Sequence, residues 1–183
     1  MKVIGLNGSP HTNGNTAKLV NEVLSGASEN NAEIKMYNLA NMDISPCKGC
    51  NACRKDGICV LDDDMQHLYN ERESSDAIVF GYPVYFGYIT AQAKAFVDRL
   101  YVYEKPDLTS RLSGKNKKMT LAFTQGNPNL DPFSSCFSTV AMVFGFLGFD
   151  VKGRIAAGCT VEKSDILSQE SILKTAKQMG KDL

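Results

Sequence analysis

Three things are scarce in this sequence: unbalanced charge, long apolar runs and histidine. Its 183 residues carry 20 basic and 20 acidic side chains, so no net field attracts nucleic acid or an anionic membrane. Nucleic acid is therefore not an expected partner. No apolar run approaches the roughly 20 residues that a bilayer-spanning helix needs, and no membrane association is expected. Met1 to Leu6 runs into a polar, glycine-rich turn too soon to form a signal peptide, which makes the cytoplasm the expected compartment. Two histidines are too few for a metal site built on imidazole, and His67, beside Leu68, reads as a surface or half-buried residue. There is no internal repeat, low-complexity tract or linker. What is present, 43% hydrophobic and 22% charged residues, is ordinary for a globular protein. The length suits one domain, residues 1–183, with a sizeable core.

Apolar runs alternate with helical patterns along the whole chain. Val3 to Leu6 is a short strand, followed by a polar loop and a helix with Leu19, Val20, Val23, Leu24 and Ala27 at helical spacing. Glu33 to Leu39 alternates as a strand, with Ile34, Met36 and Asn38 on one face. Asp62 is the expected cap of a helix facing inward through Met65, Leu68 and Tyr69. Ala77 to Gly81 reads as a central strand buried on both faces, leading through Tyr82 to Tyr88 into a helix carrying Ala93, Phe96, Val97 and Leu100. Met119 to Phe123 and Val151 to Ala157 are the remaining strands. Phe133 to about Leu147 is a very apolar helix, and the last helix shows Ile172, Ala176 and Met179 on one side. Such alternation implies an α/β fold with a five-stranded parallel sheet covered on both faces. The matching doubly wound order is the flavodoxin-like 2-1-3-4-5. The one long insertion, residues 41–60, follows the second strand and holds most of the cysteines.

Ligands of such sheets sit outside the carboxyl ends of the strands, where the order reverses. The first loop there offers Ser9, His11, Thr12, Asn13, Asn15 and Thr16, with Gly8 and Gly14 allowing close backbone approach. It opens onto a helix N-terminus, whose free N–H groups and dipole favour a phosphate. It lacks the Gly-Lys-Ser/Thr of a Walker A loop and the GxGxxG dinucleotide spacing; a polar surface turn with a helix cap is the plain alternative. Pro83, Val84, Tyr85, Phe86 and Gly87 form a second loop suited to flanking a planar ring. Thr124, Gln125 and Gly126 form a third, able to meet a polar ring edge.

Gly8-Ser9-Pro10, Gly14-Asn15-Thr16, Pro83-Val84-Tyr85-Phe86-Gly87 and Lys94-Ala95-Phe96-Val97-Asp98-Arg99 resemble the NADPH-dependent FMN reductase family over nearly the whole chain. The resemblance implies FMN, with its phosphate on Ser9, Thr12, Asn15 and Thr16. It places the isoalloxazine against Pro83 to Gly87 and Thr124 to Gly126. His11 stands where the family often has Arg, which weakens the direct charge on the phosphate. Because flavin carries the chemistry, no side chain is assigned as a catalytic acid or base. The backbone N–H groups of Phe86-Gly87 and Gln125-Gly126 are candidates for tuning it.

Cys47, Cys50, Cys53 and Cys59 fall within thirteen residues, whereas Cys136 and Cys159 stand alone in apolar stretches and read as small core residues. A tight cluster in a reducing compartment suggests metal binding or redox activity. The two-residue spacings match the start of a bacterial ferredoxin run, and Gly49, Ala52 and Gly57 permit tight turns. Three other accounts remain open: a structural zinc site, for which the middle cysteine is awkward; a CxxC redox pair that leaves two cysteines over; and thiols that are purely structural. The run Pro46 to Cys53, Gly57 to Val60 and Asp62 to Met65 resembles the iron–sulfur flavoprotein branch of the same family. That resemblance implies a [4Fe–4S] cluster on Cys47, Cys50, Cys53 and Cys59 beside FMN.

Two functions follow. One is an electron-transfer flavoprotein passing electrons between a [4Fe–4S] cluster, FMN and a partner such as a ferredoxin or a small-molecule acceptor. The other is an NAD(P)H-dependent FMN or quinone reductase without a cluster, its NAD(P)H a transient donor. Phe133 to Phe149 is more apolar than one helix face needs, which suggests subunit packing; the resemblance implies a homodimer or homotetramer.

Overall fold

A computed structural model describes residues 1–162 and 165–183. The chain runs β1 (Lys2–Asn7), α1 (Asn15–Glu29), β2 (Glu33–Asn38), a one-turn helix α2 (Cys53–Asp56) and α3 (Met65–Ser74). It continues with β3 (Ala77–Tyr85), β4 (Tyr88–Ile89), α4 (Ala91–Arg99), β5 (Lys118–Thr124), α5 (Ser134–Phe146), β6 (Asp150–Ala157) and α6 (Glu170–Lys181). The sheet order is β2-β1-β3-β5-β6, with β4 pairing off this path against β3. All pairings along the main path are parallel. In chain order of the parallel strands this is the expected 2-1-3-4-5. The difference is β4, an antiparallel hairpin partner of β3 in which Tyr85 opposes Tyr88.

Period-two alternation explains how the helices divide between the faces. Val3, Ala77, Val79 and Ala122 point to one side, where they pack with Leu19, Val20 and Val23 of α1 and Ala176 of α6. Ile4, Leu6, Ile78, Phe80, Tyr82, Leu121 and Phe123 point to the other, against Met65 and Leu68 of α3, Phe96 of α4 and Val140 and Phe144 of α5. Central strands with both faces covered read as continuous apolar runs for this reason. Two glycines set the depth of α1. A Cβ at Gly81 would collide with Val20 and press on Thr16, and one at Gly26 would collide with the Lys177 backbone of α6. Their absence lets the start of α1 lie directly on the sheet and its end lie against α6.

Several local expectations change. Asp62 does not cap α3. Asp64 precedes its first residue, and it is Asp63 whose carboxylate accepts the Met65 N–H at 3.1 Å. Cys159 is exposed, with a positive φ of 53°, at the end of β6 rather than in the core, whereas Cys136 is buried. The apolar helix is shorter than expected, Ser134–Phe146. His67 is on the surface and meets the Tyr37 hydroxyl at 3.2 Å. Among the described residues no helix is long and apolar enough to cross a membrane.

Candidate functional site

The carboxyl ends of β1, β3, β5 and β6 surround a cavity of about 460 Å³, a size usual for small-molecule sites. The first loop contributes Ser9, His11, Gly14, Asn15 and Thr16; β3 contributes Pro83, Val84 and Tyr85. Thr124, Gln125 and Gly126 follow β5. Thr160, Val161 and Glu162, after β6, complete the wall. They were not singled out in the sequence, although the rule that ligands gather at strand carboxyl ends applies to β6 as well. Thr12, Asn13, Phe86 and Gly87 do not line the cavity.

The first loop is held in shape by Asn7, whose side chain is fully buried at the end of β1. Its Oδ1 accepts the Ser9 N–H at 3.1 Å, and its Nδ2 donates to Asn38 Oδ1 at 2.9 Å. Ser9 Oγ in turn accepts the His11 N–H at 3.1 Å. The buried hydroxyls of Thr16 and Thr124 lie 2.6 Å apart, joining the first loop to the end of β5. Asn15 uses its side chain differently from the expectation of a direct phosphate donor. Its Nδ2 donates to the Glu162 carbonyl at 2.6 Å, and its Oδ1 accepts the Ile166 N–H at 3.1 Å. It therefore clamps the segment after β6 and leaves its backbone N–H, at the first turn of α1, as its contribution to the cavity.

Gln125 is similarly committed. Its Nε2 donates to the Asn127 and Asn129 carbonyls at 2.9 and 2.8 Å, while its Oε1 is buried without a partner among the described residues. An acceptor so placed suits an N–H donor on a ligand. Among the described residues no Lys or Arg lines the cavity. An anion there would be met by hydroxyls, N–H groups and the positive end of α1 rather than by a formal charge.

Phe86 and Gly87 form the two-residue turn between β3 and β4, with φ of 47° and 82°. Positive φ at both central positions is the hairpin geometry that matches strand twist. Gly87 meets it freely; Phe86 does not, and its ring projects wholly into solvent at the cavity rim. Tyr85 and Tyr88 beside it are exposed as well.

The four clustered cysteines meet in a second place, a recess between the 42–61 segment and the end of α4. Cys47, Cys50, Cys53 and Cys59 line it together with Lys48, Asn51, Val60, Leu61, Arg99 and Tyr101. Cys53 is buried, Cys59 half-buried, and Cys47 and Cys50 are exposed. Burial pushes the Cys53 thiol up, and the nearby Cys59, Cys47 and Cys50 push the same way. A buried ion pair helps to pin the segment: Arg99 Nη1 donates to Asp63 Oδ2 at 2.6 Å and to the Ser45 carbonyl at 2.9 Å, and Nη2 donates to Asp63 Oδ1 at 3.0 Å. Burial alone would raise the Asp63 carboxyl, but Arg99 and the Ser45 and Met65 N–H groups outweigh it and hold it below the usual range. Among the described residues no three His, Cys, Asp or Glu side chains converge as a single metal ion requires.

The crossing order and the strand-end cavity define the class as a flavodoxin-like α/β protein. Within it, the sequence model of the NADPH-dependent FMN reductase family matches residues 1–124, and the chain belongs to that family. The match ends at the carboxyl end of β5, short of the nearly whole-chain resemblance expected.

An iron–sulfur flavoprotein from Methanocaldococcus jannaschii is 42% identical over 99 residues, which are 54% of this chain and 51% of that protein. One from Archaeoglobus fulgidus is 36% identical over 115 residues, covering 62% and 52%. The chain spans about half the length of the curated relatives it matches. The solved NAD(P)H:quinone oxidoreductase from Methanothermobacter marburgensis superposes with a TM-score of 0.76 at 18% identity, covering 100% of this chain and 96% of its own. An FMN-dependent NADH-azoreductase from Bacillus anthracis, solved in complex with FMN, superposes at 0.67 with 17% identity, covering 98% and 100%.

Proposed function

We propose that this chain is an FMN-dependent oxidoreductase of iron–sulfur flavoprotein type, with FMN in the strand-end cavity and a [4Fe–4S] cluster on the four clustered thiols. The observation that carries the flavin half is the convergence of strand-end loops on one cavity at the N-terminus of α1. Ser9 and Thr16 hydroxyls and the first-turn N–H groups of α1 would hold the phosphate. Pro83, Val84 and Tyr85 would flank the ring, and Gln125 Oε1 would accept a ring N–H. Phe86 and Gly87, at the rim, act from the edge of the site; Thr12 and Asn13 act through the shape of the loop. His11 adds a donor without a fixed charge.

The donor set of the recess fits a cluster. A cubane takes one thiolate per iron, so its ligands stand apart rather than on one point, and these four thiols share one wall. The recess has only about 20 Å³ free. Seating a cluster there would move the thiols outward, which the exposed Cys47 and Cys50 allow. FMN accepts a hydride or single electrons and a cluster passes electrons singly, so together they connect one- and two-electron partners. The chain's own part is to hold both groups and to keep the flavin edge open at Tyr85 and Phe86 for a transient NAD(P)H, a small acceptor or a ferredoxin-like partner. Exposed Met142 and Phe146 on α5 support a homodimer or homotetramer.

Anaerobic purification followed by FMN, iron and sulfide assay tests this. The expected result is about one FMN and about four irons per chain. Flavin with less than about one iron, bleached rapidly by NAD(P)H, would contradict the cluster and leave an NAD(P)H-dependent FMN or quinone reductase.

A further inference from the structure

Arg99, the last residue of α4, is among the most buried side chains of the protein, 2% exposed. Three of the four N–H groups on its two terminal nitrogens go to Asp63 and the Ser45 carbonyl. Its Nε is buried and finds no acceptor among the described residues. A buried guanidinium N–H without an acceptor is costly to leave so, and this one belongs to a side chain lining the recess of Cys47, Cys50, Cys53 and Cys59. Val60 and Leu61 on the same wall have no side-chain acceptor to offer it, and the oxygens of Asn51 and Tyr101 there do not accept from it. Sulfur is the acceptor that the four cysteines bring.

We infer that the Arg99 Nε–H donates a hydrogen bond to a sulfur of the thiolate-held cluster and thereby raises the cluster's reduction potential. The inference rests on the cluster reading above. A reduced cluster is more negative, so an N–H aimed at its sulfur stabilises the reduced form more than the oxidised one. The Asp63 carboxylate neutralises the guanidinium, which leaves the directed N–H rather than net charge as the tuning element. Asp63 is a positioning residue: it fixes the plane of the guanidinium and so the direction of Nε–H.

Arg99→Lys separates the two contributions, since it keeps a cation for Asp63 and removes Nε–H. Wild type and variant are purified anaerobically, assayed for FMN, iron and sulfide, and titrated potentiometrically with the cluster followed by EPR and the flavin by absorption. The expected result is full iron in both, a cluster midpoint shifted to more negative potential in the variant, and an unchanged flavin midpoint. An unchanged cluster midpoint with iron retained overturns the role of Arg99 alone. Absence of iron from the wild type overturns the cluster reading and this inference with it.

Should Arg99→Lys fail to fold, the double variant Arg54→Lys, Arg111→Lys labelled with [15N]arginine replaces it, which removes the two other arginines packed on the thiol segment. Pulsed EPR of the reduced cluster is then expected to show a weak 15N coupling. None would overturn the inference.

Discussion

The two candidate sites, the strand-end cavity and the cysteine recess, are built on opposite plans. The strand-end cavity is stiffened from within: Asn7, Ser9, Asn15 and Gln125 bond backbone groups and Thr16 bonds Thr124, so the walls are held in shape. The cysteine recess is held from outside, by the buried pair of Arg99 and Asp63 and by Gln66 and Arg111 on its backbone, while two of its four thiols face solvent. The difference teaches where binding energy goes. A preformed cavity spends little on ordering when it fills, whereas a thiol segment that rearranged around the proposed cluster would couple that ligand to its own conformation.

The largest test of that contrast is Asp63→Ala. It leaves the Arg99 guanidinium buried and unpaired, which costs about 3–5 kcal/mol, read by urea unfolding. The FMN affinity of the folded fraction should not change, because the cavity does not depend on this pair. The folded Asp63 carboxyl titrates below its unfolded value, so the pair's stabilisation is present above about pH 4 and fades as pH falls through the lower, folded pKa. Wild type and variant should therefore converge in acid. A loss under about 1 kcal/mol at neutral pH would mean that the pair is effectively solvated.

Thr16→Val comes next and strikes the other region. It keeps the shape but leaves the Thr124 hydroxyl buried without its partner, at about 1–3 kcal/mol. FMN binding measured by flavin fluorescence should weaken by about tenfold, equivalent to about 1.4 kcal/mol. The iron content should stay as in wild type. Loss of iron in this variant would show that the two regions are not independent.

Phe86→Asn should act in the favourable direction. The left-handed conformation costs a non-glycine residue about 1–2 kcal/mol and Asn tolerates it better, so the melting temperature should rise while FMN binding weakens if the ring covers the flavin edge. A lower melting temperature would show that Phe86 packs on something in solution.

The smallest effect belongs to Glu29, remote from both regions. Lys177 and, after it, Lys181 hold its carboxyl at about 2, tying α1 to α6 through ion pairs of 2.5 and 2.8 Å. Glu29→Gln should lower the melting temperature slightly at neutral pH. That stabilisation is present above the ordinary value near 4.5 and is lost as pH falls through about 2. The pair is exposed, so a difference that persists in about 1 M salt would contradict its electrostatic origin.

Strands and helices were legible wherever periodicity was strong: Val3 to Leu6, Ala77 to Gly81 and Leu19 to Ala27 all fall in their expected elements. The hairpin strand β4 was not, since Pro83 to Ile89 mixes aromatics with a glycine and its pairing is set by the Phe86-Gly87 turn. Asp62, Asp63 and Asp64 could not be told apart by pattern; only the position of Arg99 selects Asp63. Cys159 looked like core because its neighbours Ala156 and Ala157 are apolar, yet the chain leaves the sheet at Ala157 and turns outward. Thr160 to Glu162 carry no motif, and only the closure of the sheet brings them to the cavity. Within the first loop, residue types were legible, but which donors face inward was not, because Asn15 is claimed by residues about 150 positions away.

The central claim, that the strand-end cavity anchors FMN through its phosphate, is tested most directly by titrating flavin-free protein with FMN and with riboflavin under identical salt. Charge-assisted hydrogen bonds to a phosphate at a helix N-terminus are worth about 3 kcal/mol together, so FMN should bind about 100-fold more tightly. Equal affinity for the two flavins would contradict the assignment of Ser9, Thr16 and the start of α1 as the phosphate site.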